Sequence, residues 1–400
     1  MTSGEVPVGR RVAQWRIRRR MTQQMLADRL GKSKSWVDKV ERGVRSLDRF
    51  SVIQDVARVL RVEPATLVGR ESRPAGSVDV EGVEGLRAAL ARYDLPRAAT
   101  GSAAPTPDLG RRVEHAWSAY QHARHAQVMR LVPDLLDAAR RAHAAGGGHG
   151  TTGLLVRVYR ITASVLVKLG EPDVAWLAAD RAVAVAAGDP GWTAVAAVPL
   201  GQALRATGRG RLATMVTIAA ANRIAAAHDR SSAGPTLGGT LWVEAALAAA
   251  SCGDAHSAAE WLGLAAEIAG RVDDRHDPHL GGFGPATVQV AHVAAAVELG
   301  DGGEAVARHE AVIGTDGWRR LPVEHRAAHL VDAARAYLQI GDLLRAGRAL
   351  TEADRIAPDE IRMRPLARTV IGEVARGGPA PAGVSHLTTA IGLTRRAGQA

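Results

Sequence analysis

Four polar residues in one short stretch, Lys34, Ser35, Asp38 and Lys39, fall on the exposed side of a helix whose other side carries Val37 and Val40. On such a face Lys34 and Lys39 are donors suited to guanine O6 and N7, and Ser35 is chemically permissive. Asp38 either accepts from cytosine N4 or tethers a neighbouring Lys. Gln23, one helix earlier, and Arg42 and Arg45, just beyond the stretch, suit phosphate oxygens. Arg10, Arg11 and the run Arg18, Arg19 and Arg20 suit them too. Phosphate contacts add affinity and salt dependence but little sequence discrimination. Trp36 has two readings, core packing or contact with a sugar and a thymine methyl.

These groups need two helices held at a fixed angle. Thr22 is a cap for a helix with Leu26, Ala27 and Leu30 on its inward face, and Gly31 ends that helix where a left-handed residue makes a tight turn. Ser33 caps the next helix and Gly43 stops it. Val12 and Trp15 mark a first helix, and Phe50, Ile53, Ala57 and Leu60 a fourth. Glu63-Pro64 opens a fifth, with Pro64 where a missing N–H is harmless. Charge follows the same boundary. Residues 1–70 hold 16 Lys/Arg against 7 Asp/Glu, while the remaining 330 hold 35 against 34, so nearly all of the +10 net charge sits on this unit. That is the footprint of a domain that meets a polyanion.

The run Thr22-Gln23, Leu26-Ala27, Leu30-Gly31, Ser33, Val37, Val40-Glu41 and Gly43 resembles the phage-repressor-like, or xenobiotic-response-element, helix-turn-helix family over residues 9–69. The resemblance implies a five-helix lambda-repressor-like DNA-binding domain. It also implies that Gln23 touches phosphate and that Lys34, Ser35 and Lys39 face bases. Lys32 and Trp36 depart from the usual small residues, which leaves the target sequence unread.

Beyond residue 70 the chain reads as all-α. Residues 71–109 read as a linker with a short helix, 110–378 as a tetratricopeptide-like solenoid of helical hairpins, and 379–400 as a tail. Helices end at Gly170, Gly208, Gly253, Gly300 and Gly341, spaced 38–47 residues apart and mostly followed by an acidic residue. Such a period near 40 residues marks stacked helix pairs. An earlier pair lacks the glycine. Small residues on the second helices (Ala178, Ala179, Ala182, Ala184; Ala219, Ala220, Ala221; Ala346, Ala349) favour close approach of neighbours. This part resembles the sensor domains attached to such regulators in actinobacteria, which implies a ligand or signalling peptide held by the solenoid. Trp242, Trp261, Phe283 and His292 are the candidate pocket residues.

Other chemistry finds little support. The lone Cys252 excludes an intrachain disulfide and a multi-cysteine zinc site. Asp273–His279 gathers acids and histidines in a Pro/Gly-rich loop that reads as a fold-over segment rather than a metal site. No phosphate-binding Gly-Lys-Ser/Thr loop, nucleophile elbow or His-Glu-x-x-His pair occurs. The expectation is a non-enzyme without cofactor or metal, cytoplasmic and nucleoid-associated when bound to DNA, with no signal peptide or membrane span. Its expected form is a homodimeric transcription regulator on an inverted-repeat operator in double-stranded DNA. The alternative is a helical-repeat scaffold whose basic domain binds DNA without preference, or binds a partner.

Overall fold

The structure is a computed structural model, and it describes residues 8–19, 21–43, 47, 50–60, 67, 80–92, 106–146, 148–186, 188–227, 233–272, 282–377 and 382–392. Every described element is a helix. The chain divides into two compact units, Met1–Gly76 and a larger one built from Ser77–Val297 and Asp301–Ala400.

In the first unit the helices are α1 (Val8–Arg18), α2 (Gln23–Leu30), α3 (Lys34–Glu41) and α4 (Phe50–Leu60). Leu67, helical and buried, is the described remnant of the expected fifth; the rest of that segment lies outside the described residues. The local chemistry read from the sequence is what shapes the turn. Thr22 accepts from the Met25 N–H at 3.1 Å and Ser33 from the Trp36 N–H at 3.1 Å. Gly31 sits at φ 62°, and the Lys32 N–H closes the helix end on the Ala27 carbonyl at 2.9 Å. Val12, Met21, Leu26, Ala27, Val37, Ile53, Val56, Ala57, Leu60 and Leu67 make the core. Trp36 is half-buried at its margin.

The second unit is a run of antiparallel helix pairs. It begins with α5 (Val80–Ala91), inside the segment read as a linker: Val83, Leu86, Ala89 and Leu90 are buried in the core of the array. Arg140 and Arg181 cap its last carbonyls, reaching the oxygens of Ala89 at 2.8 Å and Leu90 at 2.5 Å. Then follow α6 (Thr106–Gln121), α7 (His125–Gly146), α8 (His149–Lys168), α9 (Pro172–Val185), α10 (Pro190–Ala206) and α11 (Gly210–Ala226). The next are α12 (Ala233–Ser251), α13 (Ala255–Ala269), α14 (Pro285–Leu299), α15 (Gly302–Val312) and the short α16 (Asp316–Arg320). The unit ends with α17 (Val323–Gln339), α18 (Leu343–Ile356), α19 (Pro358–Arg362), α20 (Pro365–Arg376) and α21 (Ala382–Ala390). Val384, Leu387 and Ile391 are buried, so much of the segment read as a tail is packed helix.

One joint recurs. Gly170, Gly208, Gly253, Gly300 and Gly341 all take φ between 76° and 83°. At each, the next residue's N–H returns to a carbonyl five positions back, as from Asp342 to Tyr337 at 2.8 Å. The acidic residue after the glycine acts as a hydrogen-bonding cap: Asp254, Asp301 and Asp342 accept from Ser257, Glu304 and Arg345 at 3.1, 3.1 and 2.9 Å. The joint lacking a glycine folds the same way at Ala123, φ 55°, a conformation that costs an alanine roughly 1–2 kcal/mol. Most of the small residues expected at helix contacts are buried. Ala184 and Ala219 face outward instead.

Two glycines act as seats for rings. Gly153 lies under Trp192, and Gly239 on α12 lies under the buried Phe283. A methyl at Gly239 would overlap the phenyl ring, so Gly239→Ala is expected to cost about 1–3 kcal/mol through overpacking. Urea unfolding followed by helical circular dichroism checks this; an unchanged midpoint would show that the ring is free to leave its seat.

Candidate nucleic-acid interface

Helix α3 presents the face anticipated from its spacing. Val37 and Val40 are buried, while Lys34, Ser35 and Lys39 are exposed. Asp38 is half-buried and pairs with Arg42 one turn on, at 3.3 Å, so the tethering reading of Asp38 describes this structure, with Arg42 in place of a Lys. A ligand that engages either group at this surface competes with a weak exposed pair.

The helix is aimed by a clamp that the spacing of exposed residues did not reveal. Glu41, the last residue of α3, is buried and receives two bonds from Arg16 on α1, Nε at 2.6 Å and Nη2 at 2.9 Å. Arg16 also donates to the Met21 carbonyl at 2.8 Å, tying α1 to the segment before α2. Gln23 Nε2, at the first turn of α2, donates to Glu41 Oε2 at 2.9 Å. One amide hydrogen of Gln23 therefore remains for an oxygen outside the domain, and its position is fixed by the carboxylate that terminates α3. The hydrogen bond to Glu41 raises the Arg16 pKa, outweighing burial, so Arg16 keeps its charge in the clamp. Gly9 of α1 packs against the same C-terminal end of α3, where any side chain would strike the Val40 carbonyl.

The other expected phosphate ligands divide. Arg10 is exposed and Arg11 half-buried. Arg19 is exposed, but its Nε donates to the Leu60 carbonyl at 3.1 Å and so closes the end of α4. The Arg18 side chain, Arg20 and Arg45 lie outside the described residues.

With the capped turn, the apolar back and the polar front of α3 in place, comparison with known families is decisive for this unit. Residues 7–68 match the family model of a helix-turn-helix domain. The N-terminal unit is a helix-turn-helix domain. The match names a non-catalytic DNA-binding type of domain and covers only the first part of the chain. No curated protein matches the chain. Among solved structures, similarity is found to the Bacillus thuringiensis PlcR complex with the peptide PapR7 and DNA. That match has 15% identity and a TM-score of 0.33 over 78% of this chain and 100% of that one. The Cut9–Hcn1 hetero-tetramer of APC/C gives 13% identity and a TM-score of 0.24 over 94% and 73%. At those scores neither adds to what the helices themselves show.

In the helical array the four candidate pocket residues do different things. Phe283 is spent on packing against Gly239, one turn before the half-buried Trp242 on the same helix. Trp261 is half-buried on α13. His292 on α14 has a lowered pKa, first from burial and then from Arg308, with Glu304 opposing. The Asp273–His279 stretch lies outside the described residues, and among the described residues no group of three or more His, Cys, Asp or Glu is placed to hold a metal. Sequence reading missed a polar cluster between α10 and α12. There Gln202 donates to the buried Glu244 at 2.6 Å, and Arg205 lies 3.4 Å from the same carboxylate. Its members are 39–42 residues apart, about one repeat, and that was its only sequence signal.

Proposed function

We propose that this protein is a sequence-specific DNA-binding transcription regulator that works as a homodimer on an inverted-repeat operator. Its helical array holds a peptide or small ligand that modulates binding. The observation that carries the DNA reading is the exposed Lys34–Ser35–Lys39 face on a helix locked from behind by Val37, Val40 and Glu41. A helix of this diameter enters the major groove, and the helix before it crosses the backbone with Gln23 at its N-terminal end. The concentration of positive charge in residues 1–70 supplies the non-specific part of the affinity. A domain this small makes few base contacts, so two copies on two half-sites are needed for a selective complex. Among the described residues no helix is long and apolar enough to cross a membrane.

The test is binding of the full chain to duplexes selected from a random pool, against random duplex, over a series of salt concentrations. Wild type is expected to prefer selected sites by at least about a thousandfold. Lys34→Ala with Lys39→Ala is expected to erase that preference, each lost contact costing about 1–3 kcal/mol, with residual salt-dependent binding retained. Equal affinity of the wild type for all duplexes would sink the regulator reading in favour of a scaffold that binds DNA without sequence preference.

A further inference from the structure

Early and late helices of the array, α7 and α8 with α17 and α19, meet. Lys168, at the end of α8, sits between two carboxylates of the C-terminal helices, Glu324 on α17 and Glu360 on α19, the latter at 2.8 Å. His125, the first residue of α7, is fully buried and lies 2.8 Å from Glu360 through Nε2. The neighbouring Ala126 N–H donates to Asp359 at 3.1 Å, so a carboxylate more than 230 residues away in sequence caps the start of α7. Arg364 closes the cluster on Glu360 at 2.6 Å.

The apolar part of this seam is small. Its buried cluster is Ala123, Ala327 and Ala357, fringed by Val323 and Ile356, with Met363 reaching the larger core. Between sequential hairpins, by contrast, the buried surface is much larger and sets Leu, Val and Ile among the alanines, as at Leu154, Leu155, Val158 and Ile161. Burying ions costs several kcal/mol each, and pairing in the fold largely offsets that cost. Parting the two ends would rehydrate these ions while exposing little apolar surface, so the closed arrangement is held chiefly by the ion pairs. A packed interface of this kind switches between discrete states rather than deforming gradually.

We propose that this seam is a latch: His125 and Lys168 on one end of the array and Glu324, Asp359 and Glu360 on the other hold the helices in a closed turn, which opens as a unit when these ions part. The latch is independent of what the N-terminal domain binds. A ligand shifts it by whatever difference in affinity it has for the closed and open forms.

The experiment uses the full chain with Cys252→Ser, which removes the sole cysteine, and spin labels at Arg130→Cys and Arg355→Cys, both exposed and on opposite sides of the seam. Pulsed dipolar spectroscopy should give one narrow distance. Lys168→Met, which leaves Glu324 and Glu360 facing each other without their shared cation, should add a second, longer population while helical circular dichroism is retained. Asp359→Ala, a milder cut, should add a smaller one. A single unchanged distance in both variants with native helicity overturns the latch. Should Lys168→Met lose its helicity, Asp359→Ala decides alone: a longer population supports the latch and an unchanged distance overturns it.

Discussion

Replacing Glu41 by alanine is expected to destabilise the helix-turn-helix domain by about 3–5 kcal/mol and to weaken DNA binding beyond what the stability loss explains. Arg16 would then keep its charge in a site where its side chain is only 13% exposed, with the carboxylate that compensates it gone. Its remaining partner, the Met21 carbonyl, satisfies one nitrogen and no charge. The same change frees Gln23, whose amide is fixed through Glu41. A second variant separates the two effects. Arg16→Met with Glu41→Leu removes both ions and fills the space with apolar groups, a replacement that is often neutral for stability. That protein should unfold near the wild-type midpoint yet bind DNA more weakly, because Gln23 is still released. Because the chain has two units, unfolding must be followed by a probe of the first, such as Trp15 and Trp36 fluorescence with the other tryptophans replaced. Wild-type affinity in the double variant would show that Gln23 needs no anchor.

How much of this was legible beforehand follows from the range of each interaction. Thr22, Gly31 and Ser33 act within three to five residues of themselves, and the sequence motif names each role the structure shows. The joints at Gly170 through Gly341 are equally local, and even the aspartates that follow three of them cap helices three residues on. The Arg16–Glu41 clamp spans 25 residues and joins helices whose approach is set by the whole core, so local spacing gives no hint of it. Gly239 looks like helix-weakening filler until Phe283 is found above it. The helix at 80–91 was legible as a helix but not as part of the array, since its partners Arg140 and Arg181 lie 51 and 91 residues on. The seam joining residues 125 and 168 to 324 and 360 is furthest from view. It depends on the accumulated rotation of every hairpin between them, and a degenerate repeat does not specify that rotation. The residues proposed to face bases, Lys34, Ser35 and Lys39, fall between these cases: their exposure follows from helical periodicity, while any contact with bases depends on a duplex.

The C-terminal hairpins carry a second consequence of burial, an acid-sensitive histidine pair. His309 on α15 and His329 on α17 are both buried, with His309 Nδ1 2.9 Å from His329 Nε2, so one ring donates and the other accepts. Trp318 meets His329 edge-on at 5.1 Å and Tyr337 meets His309 at 5.8 Å, walling the pair with aromatic surface. Charged groups face it from each side: Glu310 on α15, Asp332 and the Tyr337 hydroxyl on α17, and Arg345 on α18. Burial lowers the pKa of His309, and burial followed by the neighbouring His309 lowers that of His329 to about 3, with Asp332 opposing weakly. A second proton would also set N–H against N–H. The unfolded chain, whose histidines titrate near 6.5, therefore binds more protons than the fold between about pH 6.5 and pH 3. Stability from His329 is complete above that window and falls as pH falls through it, by roughly 1.4 kcal/mol per unit and about 5 kcal/mol in all. Glu324 and Glu360 have lowered pKa values: burial is the largest influence and would raise them, but Lys168 with His325 at Glu324, and Lys168 with Arg364 and His125 at Glu360, together outweigh it, so their acid loss begins below the ordinary carboxylate value of 4.5. The interval from 4.5 to 6.5 thus isolates the histidines. His292 shifts in the same direction, so the decisive comparison is between wild type and His329→Phe, which keeps the ring packing and cannot be protonated. Urea midpoints at pH 7 and pH 5 should separate by more than 1 kcal/mol in the wild type and by markedly less in the variant. Equal separation in both proteins would place the acid sensitivity elsewhere in the array.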